Sequence, residues 1–155
     1  KPFIENAILN SCNLKKKVVQ RDEDEKNIRK ILNLGHTFAH AFESSLGFSS
    51  KLNHGEAVII GITMALKFSY QRRLIKNKTY NFIKKHLERI PLKKKFTSIF
   101  SKKDVSKIIS FMESDKKNTT KKINIILIKD FGKIKTNYQF DQNTLKQFLI
   151  SELKK

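Results

Sequence analysis

Three of the four histidines, His36, His40 and His54, fall within nineteen residues of sequence. The first two stand four apart in NLGHTFAHAFE, with Glu43 three residues behind them, and the third sits in KLNHGEAV. Imidazole is a good metal ligand and a proton carrier near neutral pH. Zinc sites commonly join two histidines to a carboxylate and leave one position for water or substrate. His36 and His40, one helical turn apart, could ligate one ion together, as in HExxH helices. Thr37, Phe38 and Ala39 fill the gap between them, however, and supply no catalytic glutamate. Alternatively, one of the two shares a metal with His54 while the other works as acid or base. Spacing alone does not choose between these arrangements, and a pair of buried histidines with a purely structural role is the plain competitor.

These side chains need a scaffold, and the periodicity predicts one long helix over residues 25–46, closed by Gly47. At about 100° per residue, Glu25, Arg29, Asn33, His36, His40 and Glu43 share a strip roughly 80° wide. Ile31, Leu34, Phe38, Ala41, Phe42 and Leu46 take the other side. A solvated face in this chain should be rich in lysine, whereas the strip carries a single cation. Small Gly35 and Ala39 beside it would admit a close neighbour. The strip therefore reads as a functional face.

The remaining elements follow from similar patterns. Residues 3–20 form a first helix, with Ile4, Ile8, Cys12 and Val19 in register, and DEDE at 22–25 suits the positive start of the next. Residues 55–75 are apolar nearly all round, the mark of a buried helix. Further helices are expected near 78–90, ending at Pro91, and near 103–114. INIILI and KIKTNY, joined by DFG, read as a hairpin, and Asp141 as the N-cap of a last helix ending near Leu153. The expected fold class is mostly α with a small β hairpin (α+β).

Composition narrows the class further. The 155 residues suit one compact domain, and no apolar run of about 18 residues could span a bilayer. The N-terminus has no signal-peptide pattern, and the single cysteine, Cys12, cannot form an internal disulfide. A formal charge of +19 would suit a polyanion. The lysines are scattered over every helix, however, and not gathered with aromatics on one face, so nucleic acid is not the expected partner. An anionic small substrate would gain from the same positive field.

LKKKVVQRDEDEKNIRKILNLGHTFAHAFE followed by LNHGEAVIIGITMA closely resembles the C-terminal domain of 3-dehydroquinate synthase, within the sugar phosphate cyclases. The later stretch MESDKKNTTKKINIILIKDFGKI is similar to that family's DKK segment and following β element, so the likeness runs over about residues 7–140. It departs at Ala39, where glycine is usual, and at Ile62-Thr63 after Gly61. The resemblance implies an enzyme that converts 3-deoxy-D-arabino-heptulosonate 7-phosphate to 3-dehydroquinate and phosphate. The route is transient oxidation with NAD, phosphate elimination, re-reduction, ring opening and aldol closure. It implies that His36 and His54 ligate Zn2+ (or Co2+) beside the substrate, that His40 and Glu25 transfer protons, and that Lys15, Arg29, Asn33 and one of Lys116 and Lys117 bind substrate. Residues 1–155 would be the helical metal- and substrate-binding domain. The NAD-binding domain and a third, glutamate ligand would lie upstream of Lys1, since Glu5, Glu23 and Glu25 are not in the matching context. On that expectation the chain alone is inactive. A cytoplasmic setting and a homodimer agree with the resemblance. The competing readings are another sugar phosphate cyclase, an iron-dependent alcohol dehydrogenase relative and a basic nucleic-acid-binding module.

Overall fold

The computed structural model describes residues 2–114 and 122–154. It is mostly helical with one two-stranded antiparallel sheet, and it divides into two units, Lys1–Asn33 and Leu34–Lys155. Among the described residues, no helix is long and apolar enough to cross a membrane.

The first unit is helix α1 (Pro2–Arg21) followed by a 3-10 helix (Ile28–Asn33). No residue of α1 is buried, and Phe3, Ile4, Ile8, Leu9 and Leu14 are exposed. Between the two helices Asp22 organises the chain. Its carboxylate accepts from the backbone N–H of Lys26 at 3.0 Å, Asn27 at 2.7 Å and Arg29 at 2.9 Å. Burial opposes ionisation of Asp22, but these N–H groups and the Lys30 charge outweigh it and lower the carboxyl pKa. Glu25 has φ 56°, outside the helical region. The acidic stretch at 22–25 therefore forms a turn and not the first turn of a helix.

The second unit begins with helix α2 (His36–Ser45), and here the structure corrects the sequence reading. No continuous helix runs over 25–46. Gly35 takes φ 81°, a left-handed conformation that ends the 3-10 segment and restarts the chain as α2. The cause is tertiary. A methyl group at Gly35 would collide with the backbone of Gly61 and Ile62, and one at Gly61 with the Gly35 carbonyl. The close neighbour admitted by small Gly35 and Ala39 is thus another helix, α3 (His54–Gln71). The angular strip computed for one straight helix does not exist as such; only its second half, His36, His40 and Glu43, lies on one helix face.

Helix α3 is the spine of the core, with Ala57, Ile60, Met64, Ala65, Leu66 and Phe68 buried. Helices α4 (Asn77–Leu87), α5 (Phe96–Ile99) and α6 (Val105–Glu113) follow. Strands β1 (Ile123–Asp130) and β2 (Lys133–Phe140) pair antiparallel from Ile123↔Phe140 to Asp130↔Lys133. Gly132 in the turn has φ 69°. Helix α7 (Gln142–Glu152) closes the chain, capped by Asp141, whose carboxylate accepts from the Thr144 N–H at 2.8 Å. Phenylalanines stitch the layers. Phe68 lies 4.8 Å from both Phe140 and Phe148, and Phe42 5.1 Å from Phe100, centroid to centroid. Each of the fully buried rings, Phe42, Phe68 and Phe148, contributes about 1.5–3 kcal/mol through burial alone. Phe38 and Phe42 in this core fix which way α2 turns, and that leaves His36 and His40 on its outer side.

Candidate metal and substrate site

The left-handed Gly35 makes His36 the first residue of α2, with His40 one turn and Glu43 two turns further on. His54 is the first residue of α3, which packs against α2. The Glu56 carboxylate secures that helix start. It accepts from the Asn53 N–H at 3.0 Å and pairs with Lys94 at 2.9 Å, and these two contacts lower its pKa. The three imidazoles meet in a triangle, with ring centroids 5.5 Å apart for His36–His40, 5.8 Å for His36–His54 and 6.2 Å for His40–His54.

The three rings are anchored unequally. His36 Nδ1 faces the Leu34 carbonyl at 3.4 Å. His54 Nδ1 faces both carboxylate oxygens of Glu43 at 3.1 Å. Both acceptors call for a proton on Nδ1, which leaves Nε2 with its lone pair free to ligate. His40 is exposed, and among the described residues its ring makes no hydrogen bond. Burial pushes the His36 pKa down, opposed by the Leu34 carbonyl and reinforced by the neighbouring His40 and His54. A neutral imidazole is the ligating form.

Two imidazoles on one zinc at about 2.0–2.1 Å put their centroids roughly 5 Å apart. By this measure His36–His40 at 5.5 Å and His36–His54 at 5.8 Å both lie close to that, so the distances admit either pair and the choice of His36 with His54 rests on their Nδ1 partners. Among the described residues, no group of three or more His, Cys, Asp or Glu side chains is arranged to hold a metal by itself. His36 and His54, with Nδ1 facing acceptors and Nε2 open, could serve as two ligands of a divalent ion.

The other expected site residues belong to the first unit. Glu25 and Asn33 are joined, the Asn33 amide donating to the Glu25 carboxylate. The Arg29 guanidinium donates to the Glu23 carbonyl. Lys15 is exposed on α1. Lys116 and Lys117 lie outside the described residues. Sequence reasoning placed Glu43 on the strip but gave it no task, because the contact to His54 crosses from one helix to another. Glu56 was also missed, although Asn53 with Glu56 three residues on is a readable helix-start pattern.

The family model described as 3-dehydroquinate synthase C-terminal matches residues 1–118. The chain belongs to the 3-dehydroquinate synthase C-terminal family. A 3-dehydroquinate synthase of Pelagibacter ubique (strain HTCC1062) is 50% identical over 154 residues, 99% of this chain and 42% of that protein. One from Endomicrobium trichonymphae is 40% identical over 148 residues, 93% of this chain and 39% of the relative. The chain thus spans about two fifths of the length of these relatives. Among solved structures, 2-deoxy-scyllo-inosose synthase complexed with carbaglucose-6-phosphate, NAD+ and Co2+ superposes with a TM-score of 0.77 at 22% identity. That match covers 97% of this chain and 42% of the other. It is a likeness of fold, and it extends past the family match through β1, β2 and α7.

Proposed function

We propose that the chain supplies the metal- and substrate-binding part of a 3-dehydroquinate synthase acting on 3-deoxy-D-arabino-heptulosonate 7-phosphate. The observation that carries this reading is the triangle of imidazoles, two with Nδ1 held by acceptors and one unencumbered. The 50% identity to a protein named as that synthase supports it. In this reading NAD is bound mainly by a separate domain, which also brings a third, carboxylate ligand. The cobalt, NAD+ and phosphorylated carbocycle in the structure of similar fold agree with those needs.

His36 and His54 would hold the ion through Nε2. A zinc or cobalt ion there would polarise the substrate hydroxyl that loses a hydride. His40, exposed and with both ring nitrogens open, takes and returns protons. Glu25, oriented by the Asn33 amide, is the second proton-transfer group. Lys15, Arg29, Asn33 and one of Lys116 and Lys117 bind the substrate, the cations receiving its phosphate and carboxylate by charge-assisted hydrogen bonds.

The test separates two histidines that share a helix face. In the full-length enzyme, His36→Ala should greatly weaken zinc binding. His40→Ala should keep zinc while turnover falls by a factor on the order of 10² to 10⁴, the range for losing a general acid or base. Bound zinc per chain after dialysis, read beside the rate, decides. If the His40 variant loses metal as readily as the His36 variant, the assignment fails and the two form a joint site.

A further inference from the structure

We propose that Glu43 is a positioning residue for His54, holding its Nδ1 so that Nε2 is presented to the metal. The inference rests on the metal-site reading above. The Glu43 side chain is nearly buried, and among the described residues its carboxylate is hydrogen-bonded only by His54. A carboxylate withdrawn from water is costly unless it is partnered, so the pair is a strong mutual constraint. The His54 side chain, by contrast, is 60% exposed and begins a helix, so no packed wall fixes its ring. Both Glu43 oxygens lie 3.1 Å from Nδ1, which places the carboxylate end-on to the imidazole edge. A proton on Nδ1 then bridges to the carboxylate, and the lone pair is confined to Nε2 on the opposite edge.

The geometry also explains why one helix carries His36, His40 and Glu43 at i, i+4 and i+7. The helix contributes one expected ligand and, two turns on, the group that orients the other. The carboxylate behind the ring fixes its tautomer and its orientation. His36 has only a backbone carbonyl in the equivalent place, at the longer distance of 3.4 Å. His54 is therefore the ligand with a tunable partner.

The experiment uses full-length enzyme stripped of metal. Zn2+ affinity is measured by chelator competition and the Co2+ absorption spectrum is recorded for wild type, Glu43→Gln and His54→Ala. Glu43→Gln should weaken Zn2+ binding roughly 10- to 100-fold, the usual cost of losing such a partner, and should perturb the Co2+ spectrum. The thermal midpoint of the metal-free protein is recorded beside them, since a merely structural role would lower that midpoint and leave the affinity of the folded protein unchanged. Unchanged Zn2+ affinity in folded Glu43→Gln, with affinity lost in His54→Ala, overturns the role of Glu43 alone. Unchanged affinity in His54→Ala overturns the metal-site reading itself. Should Glu43→Gln not fold, 15N chemical shifts of the neutral His54 ring in metal-free wild type give the answer. The Nδ1–H tautomer is expected, and the Nε2–H tautomer would overturn the proposal.

Discussion

At the scale of single residues, the three histidines differ more in what stands behind them than in what they are. His36 and His54 have acceptors on Nδ1, and His40 has none among the described residues. That difference could not be read from the sequence. Spacing singled out the three rings, which the structure brings together, but left open which two would share a metal, because the acceptors are a carbonyl at a chain reversal and a carboxylate on a neighbouring helix. In the first unit Arg29 shares its guanidinium with the Glu23 carbonyl, which narrows the positions the fork can take. If it receives a substrate anion, Arg29→Ala in the full-length enzyme should cost about 1.5–3 kcal/mol of charge-assisted binding. That corresponds to roughly a 10- to 100-fold loss in kcat/KM, falling mainly on KM. Steady-state kinetics over a substrate series measures it, and an unchanged KM would remove Arg29 from the binding set.

At the scale of elements, most of the fold was legible. The first helix, the apolar α3, the hairpin around Gly132 and the Asp141 cap all follow from local chemistry, and the structure has them where the patterns put them. The short α5 was not foreseen, since four residues are too few to show a period. The long helix over 25–46 was wrong for a physical reason. A glycine inside a helical pattern is locally tolerable. The left-handed φ 81° of Gly35 goes with a close backbone approach of Gly61 and Ile62, and Gly61 lies 26 residues further along the chain. Gly35→Ala should therefore destabilise the fold by about 2–5 kcal/mol. Left-handed strain accounts for about 1–2 kcal/mol and overpacking for about 1–3 kcal/mol. Urea unfolding of the two proteins measures the cost, and a change below about 0.5 kcal/mol would contradict the close contact.

The Asp22 turn gives a second test at this scale. Its folded pKa lies below the ordinary 3.8, so its contribution is complete above that value and is lost as pH falls through the lower folded pKa. The amides of Lys26, Asn27 and Arg29 should be protected from hydrogen exchange at neutral pH and lose that protection in acid. Asp22→Ala should show little protection at either pH and no acid step. Equal protection in both proteins at neutral pH would mean that the carboxylate does not organise the turn.

At the scale of the whole molecule, residues 1–155 correspond to about two fifths of the relatives' length, and no three donor groups among the described residues form a metal site. The net charge of +19 gives the molecule a positive field suited to an anionic substrate. The proposed reading is a half-site that a dinucleotide-binding domain completes. The most direct measurement is phosphate release from 3-deoxy-D-arabino-heptulosonate 7-phosphate, with NAD and zinc supplied. It is made on residues 1–155 alone and on the same residues joined to that domain. The account expects phosphate, with 3-dehydroquinate formed in equal amount, from the joined enzyme and none from residues 1–155 alone. No phosphate from the joined enzyme, or sustained turnover by residues 1–155 alone, would contradict it.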